Sequence, residues 1–170
     1  MSHRISGPNQ RERYTGPLTF IGEDLQAIVA HVNTAIAALE PQVTRWTPRI
    51  VGTTLGGFGT YSFQHAWCVK QHDLITLFGT IVWSAHTGTG NMRIAGLPYV
   101  ATESEALTFR SVGAASCSNL TFTQQLALQI VAGESEIRLN SITTGASAAE
   151  TAMDTAASLS FSLQYLTDAR

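Results

Sequence analysis

Residues 158–166 read Ser-Leu-Ser-Phe-Ser-Leu-Gln-Tyr-Leu. Leu159, Phe161, Leu163 and Tyr165 alternate with Ser158, Ser160, Ser162 and Gln164. Successive side chains of a β-strand point to opposite faces, so this pattern predicts an apolar inner face and a hydroxyl-rich outer one. The same period of two recurs upstream. In TYSFQHAWCVK (60–70), Tyr61, Phe63, His65, Trp67 and Val69 alternate with Ser62, Gln64, Ala66, Cys68 and Lys70. In LITLFGTIVW (74–83), Ile75, Leu77, Ile81 and Trp83 point one way, while Leu74, Phe78 and Val82 point the other. A strand apolar on both faces is covered on both. In a two-sheet sandwich one face meets the core, and the other needs a third layer or a neighbouring subunit.

Further strands are predicted at NMRIAGL (91–97), ALTFRSV (106–112), LTFTQQLALQIV (120–131) and EIRLNSI (136–142). In the third of these, Leu120, Phe122, Leu126, Leu128 and Ile130 share a face. Turn signals fall at Gly56-Gly57, Gly88 to Asn91, Gly133-Glu134 and Gly145. Many short alternating strands separated by such turns predict a mainly β protein, an antiparallel jelly-roll-like β-sandwich over residues 49–170. Residues 144–157 carry neither period and read as a loop or a short helix.

The N-terminal part reads differently. Residues 21–41 contain GEDLQAIVAHVNTAIAALE, which ends before Pro41. Glu23 and Asp24 fall in the expected first turn, where the helix dipole favours negative charge. The residue before a proline is biased out of the helical region, so Glu40 is a natural end. Leu25, Ile28, Val32, Ala35 and Leu39 follow a 3-4-3-4 spacing, the a/d seam of a heptad, and Val29 and Ile36 widen it. The stripe has two alternative fates: it packs on its own sheet, or it is buried by copies of itself. The second is the expectation carried forward, with a broad stripe that suits three helices better than two. Residues 42–48 (QVTRWTP) read as a connector, and Pro48 bars helix there.

Residues 1–20 form a polar arm interrupted by Gly7-Pro8 and Gly16-Pro17. Arg4, Arg11 and Arg13 outnumber Glu12, which makes the arm locally basic and suited to docking on an acidic protein surface. The chain as a whole carries a net charge of −2, so no global basic field favours nucleic acid. Charged residues make up 13% of it, against about 25% in ordinary soluble domains. That scarcity suggests either a surface partly covered by other subunits or a Ser/Thr-rich surface solvated by hydroxyls. Cys68 and Cys117 imply no disulfide framework and cannot make a structural zinc site alone. The N-terminus lacks a hydrophobic leader and no apolar run is long enough to span a bilayer. The expectation is a protein made in the cytoplasm, without membrane insertion.

Signatures of chemistry are missing: no phosphate-binding loop, no H-E-x-x-H, no paired C-x-x-C and no nucleophile elbow. Neither a cofactor nor a catalytic residue is therefore expected. His65, His72 and His86 come from neighbouring strand regions, but the period of two does not bring them to one face as a zinc site needs. His31 lies on the helix, where symmetric copies would approach one another. Glu103 with Glu105, and Glu134 with Glu136, share a face if extended, the minimum for a polysaccharide hydrolase. All four lie in polar, turn-rich segments where solvated carboxylates are ordinary. Among the aromatics, Trp67 and Trp83 are the candidate glycan platforms, although strand aromatics more often fill a core.

Residues 61–99 resemble a β-module of tail fibres and other appendages of tailed bacteriophages and prophages. The likeness rests on Tyr61, on Gly79-Thr-Ile81-Val-Trp83, and on Gly90-Asn91-Met-Arg-Ile94-Ala-Gly96-Leu97-Pro98-Tyr99. In that module Gly90-Asn91 would turn, Ile94 would enter the core, and Gly96-Leu97-Pro98 would end the strand. The usual Gly-Asp turn stands here as His72-Asp73. The resemblance implies a homotrimeric head on a helical or fibrous stalk, in a non-enzymatic virion protein without catalytic residues. It gives residues 1–20 other virion proteins as partners, and the head a host glycan or protein. A carbohydrate-binding module and a small polysaccharide hydrolase are the alternatives.

Overall fold

The computed structural model describes residues 18–102 and 110–168. The virion-docking arginines Arg4, Arg11 and Arg13 therefore lie outside the described residues, as do Glu103 and Glu105. The chain divides into an N-terminal unit ending at Leu39 and a unit running from Glu40 onward.

The first unit contains one helix, α1 (Leu18–Leu39). It begins directly after Pro17 and earlier than expected, so Leu18 to Phe20 belong to the helix rather than to the arm. Glu23 and Asp24 consequently lie past the first turn, which holds no acidic residue, contrary to the expectation. The C-terminal end falls where the proline demands it, with Glu40 outside the helix.

The second unit is a single ten-stranded antiparallel sheet. Its strands are β1 (Gln42–Trp46), β2 (Arg49–Gly52), β3 (Gly59–Gln71), β4 (Leu74–His86), β5 (Met92–Ala95), β6 (Arg110–Ser118), β7 (Gln125–Val131), β8 (Glu136–Ile142), β9 (Ala149–Glu150) and β10 (Ala157–Leu166). The order across the sheet is β1-β3-β4-β10-β6-β7-β8-β5-β2, with β9 added beside β8. The chain is thus mainly β with one helix. Residues 42–48 correct the expectation of a connector, because 42–46 form an edge strand paired in register with β3, from Gln42 opposite Lys70 to Trp46 opposite Ala66. Residues 120–124 also depart from it. They run as a loop before β7, and Phe122 is exposed. Residues 144–156 are loop apart from β9, and Ala157 begins β10.

The sheet curls so that β2, at one end of the order, meets β3 and β4 near the other. The Tyr61 hydroxyl accepts the Ile50 N–H at 3.0 Å and donates to the Ile50 carbonyl at 3.2 Å. Nε2 of buried His86 lies 2.9 Å from the same carbonyl, and its Nδ1 accepts the Gly88 N–H at 2.9 Å. These contacts give His86 a full set of partners and a structural role. Inside the curl lies one apolar core containing Ile50, Ile75, Leu77, Ile81, Trp83, Ile94, Leu128, Ile130, Leu139, Leu159 and Leu163. At about 25 cal/mol per Å² of apolar surface removed from water, this burial is the main force holding the sheet together. Glycine at position 79 is required by its close pairing with Ala66 of β3. A Cβ there would meet Cβ of Ala66 at 2.5 Å and the His65 carbonyl oxygen at 2.8 Å.

Candidate assembly surfaces

Among the described residues, each unit taken by itself has an exposed apolar surface. On α1 the heptad side chains Leu25, Ile28, Val32 and Leu39, with the flanking Val29 and Ile36, are all about half exposed. Ala35 of the same seam is exposed as well. Neighbours at i, i+3 and i+4 share a helix face, so these residues make one continuous stripe. Nothing acidic or basic interrupts it between Leu25 and Leu39 except His31, which is exposed.

The second surface is the outer face of the sheet across β1, β3, β4, β10 and β6. Register fixes its membership. Arg45 faces Trp67, Trp67 faces Phe78, and Phe78 faces Ser162, which in turn faces Ala114. Phe63, Val43, Leu74, Leu166 and Val112 lie on the same side, each of them exposed. Between the apolar residues runs a lattice of hydroxyls and amides. The Thr80 and Ser160 hydroxyls are 2.9 Å apart, those of Ser118 and Ser158 are 2.8 Å apart, and Gln164 Nε2 donates to Thr76 Oγ1 at 3.2 Å. Across β1, β3, β4 and β10 the only Lys, Arg, Asp or Glu among the described side chains of this face is Arg45. Its guanidinium stands 5.3 Å from the Trp67 ring centroid and also donates to Nδ1 of His65. The His65 ring in turn stacks on Phe63 at 4.6 Å.

Charge gathers instead on the other half of the outer surface. Arg93 pairs with Glu150 at 3.1 Å and with Glu136 at 3.5 Å, and Arg138 pairs with Glu134 and, at 3.4 Å, with Glu150. Glu150 therefore bridges the two arginines. The hydrogen bond to Glu134, more than any other cause, holds the Arg138 guanidinium above its ordinary range. Glu134 and Glu136, read from sequence as a carboxylate pair, are each engaged by an arginine.

The remaining sequence candidates separate cleanly. Trp67 is 39% exposed and Trp83 only 2%. The expectation of Trp83 as a glycan platform is corrected. Its indole N–H donates to the Asp154 carbonyl at 3.1 Å, and the ring belongs to the core. His65, His72 and His86 stand on the outer face, in a turn and inside the curl, and among the described residues no cluster of His, Cys, Asp or Glu is placed to hold a metal ion. No helix among the described residues is long and apolar enough to cross a membrane. Sequence reasoning missed Phe63 and Val43 as surface residues. It also missed Phe58, 87% exposed in the glycine-rich loop between β2 and β3.

Residues carrying the phage-module likeness occupy definite positions. Gly90 has a φ of 90° and Gly96 one of 89°, so both adopt the left-handed region that suits glycine. Ile94 is fully buried, and Leu97 and Tyr99 pack against the core. The Tyr99 carbonyl accepts the Tyr165 hydroxyl at 2.7 Å, and Lys70 Nζ lies 4.7 Å from the Tyr99 ring centroid. His72 adopts a φ of 54° in the turn that joins β3 to β4. No family model matches the chain, and no curated protein and no solved structure is found to match it.

Proposed function

We propose that this chain is a non-enzymatic structural or adhesion protein of a bacteriophage virion, a fibre, spike or decoration. In this reading α1 assembles three copies into a homotrimeric stalk. Residues 1–20 dock on other virion proteins, and the curled sheet is an exposed, jelly-roll-like head. The chain is made in the bacterial cytoplasm and reaches the virion by assembly.

The observation that carries the self-assembly is the exposed stripe of α1. Six large apolar side chains along one helix lie about half open to water in a single protomer. Each gains roughly 1–2 kcal/mol when a partner covers its exposed part, and copies of the same stripe are always available to do so. The phage assignment draws on the segment from Gly90 to Tyr99, where the residues of the resemblance hold turn, core and strand-end positions. A second reading, a carbohydrate-binding module, draws on Trp67, whose exposed ring is set among hydroxyls.

Light scattering on the full chain tests the assembly directly. The expected mass is three times the 18.2 kDa protomer. Val32→Glu places a carboxylate on each copy in the seam and is expected to give monomers whose sheet domain unfolds as before. A monomeric wild type at micromolar concentration overturns the reading. For the particle assignment, immunogold labelling of phage from an induced host is expected to mark an appendage or the capsid surface. Labelling confined to cell debris refutes it.

A further inference from the structure

We infer that the charge-poor outer face of the β1-β3-β4 edge, centred on Trp67 and Phe78, turns toward the threefold axis and is covered by the same face of the other two copies. This rests on the trimeric reading of α1 and adds to it a second, head-to-head contact.

Three observations select a second copy as the occupant. The first is covalent. Only Glu40 and Pro41 separate the end of α1 from β1, and three Cα steps span at most about 11 Å. Helices gathered on an axis therefore deliver three β1 edges close to that axis, whatever the orientation of each head. Two contacts joined by so short a link reinforce each other through effective concentration, and a modest face suffices.

The second is electrostatic. Around a rotation axis every side chain meets its own copies, so any charge placed there repels itself. Among the described residues the outer face of β1, β3 and β4 carries one Lys, Arg, Asp or Glu side chain, Arg45, already engaged by Trp67 and His65 within its own protomer. A partner selected by opposite charge would need a charged face, and here Arg45 is the one such group among the described residues. The other half holds the Arg93, Arg138 and Glu150 network, the composition expected of a solvated surface. That division of the outer surface into a charge-poor face on β1, β3 and β4 and an ion-paired face on β5, β8 and β9 matches an inside and an outside of an assembly.

The third is apolar content. Phe63, Trp67 and Phe78 stand on adjacent strands, with Trp67 directly opposite Phe78, and all are exposed in the protomer. Aromatic clusters of this kind are the usual anchors of subunit contacts.

Tryptophan fluorescence separates this inference from the stalk reading. Trp46 and Trp83 are buried, so acrylamide quenching in the full chain reports mainly on Trp67, isolated by difference against Trp67→Phe. The expected result is a trimeric mass with Trp67 shielded, its quenching constant at least threefold below that of an exposed indole. Phe78→Arg is expected to keep the trimeric mass, since α1 still assembles, while restoring quenching of Trp67. Circular dichroism of that variant shows that the sheet persists. A trimer whose Trp67 is freely quenched overturns the head contact and leaves the stalk reading intact. A monomeric mass overturns both. If an added oligosaccharide shields Trp67 in a trimer where it is otherwise open, the face is a glycan platform and the inference fails.

Discussion

The Tyr61 hydroxyl satisfies both backbone groups of Ile50, receiving its N–H and donating to its carbonyl. Ile50 lies on β2, at one end of the sheet order, and Tyr61 on β3, next to the strand at the other end. One side chain thus bridges the seam where the curl closes. Tyr61→Phe removes the hydroxyl that accepts the part-buried Ile50 N–H, while the Ile50 carbonyl keeps His86. Leaving a buried donor unsatisfied costs about 1–3 kcal/mol. Urea denaturation is expected to show a loss in that range, with no change in oligomeric mass. A midpoint equal to wild type would show that the seam is held elsewhere.

Alkaline conditions are expected to unfold the sheet domain earlier than its composition suggests. Burial raises the Tyr165 hydroxyl well above the ordinary tyrosine range, and burial likewise raises Tyr61, Cys68 and Cys117. The unfolded chain releases these protons near pH 9 for the thiols and pH 10 for the phenols. The folded chain still holds them there. The native state then binds more protons than the unfolded one, so stability falls as pH rises. The stabilisation is complete below about pH 9 and declines through the raised native values. Tyr165→Phe is expected to flatten this decline in a series of urea midpoints between pH 8 and pH 11. An unchanged slope would remove Tyr165 as its source.

How far the sequence foretold the fold depended on whether the two faces of a strand differed. In β10 every apolar residue alternates with Ser or Gln, and Leu159, Phe161, Leu163 and Tyr165 are all buried as read. In β4 the reading also held. Ile75, Leu77, Ile81 and Trp83 face inward, and Leu74 and Phe78 face out and are exposed. β3 shows the limit. Its bulky aromatics Phe63 and Trp67 face outward, while small Ala66 and Cys68 fill the core. Both faces are partly apolar, so period alone names no inside. Register with β4 decides it, since Trp67 must share a side with Phe78. β1 was hidden for a related reason. Five residues closed off by a proline show no local period, and their strand character comes from pairing with residues distant in sequence, from Gln42 with Lys70 to Trp46 with Ala66. The candidate surface was half legible. The stripe of α1 follows from spacing, but the charge-poor face exists only once distant strands are set side by side.

Trp83 and Trp67 are expected to respond oppositely to truncation. Trp83 is buried in the core and anchored to Asp154, so Trp83→Ala leaves a large cavity and an unpaired carbonyl. Such deletions cost about 3–5 kcal/mol. Trp67→Ala leaves no cavity in the protomer and forfeits chiefly the Arg45 contact, about 0.5–1 kcal/mol at an exposed site. Thermal unfolding under conditions where the chain is monomeric, as with Val32→Glu in the background, isolates the protomer's share. Comparable losses at the two positions would mean that Trp67 is buried within its own chain.

The turn joining β3 to β4 offers a gain rather than a loss. Gln71 pairs with Leu74, so His72 and Asp73 alone make the connection, and His72 carries a φ of 54°. Holding a residue with a Cβ in the left-handed region costs roughly 1–2 kcal/mol. Glycine removes that cost but adds freedom to the unfolded chain worth about 0.4–1 kcal/mol. His72→Gly is therefore expected to stabilise the sheet domain by ~0.5–1 kcal/mol, the difference between these terms. His72→Ala keeps the Cβ and is expected to give no such gain. Differential scanning calorimetry of the two variants checks both. If glycine lowers the midpoint, the histidine ring contributes more to this turn than its backbone strain removes.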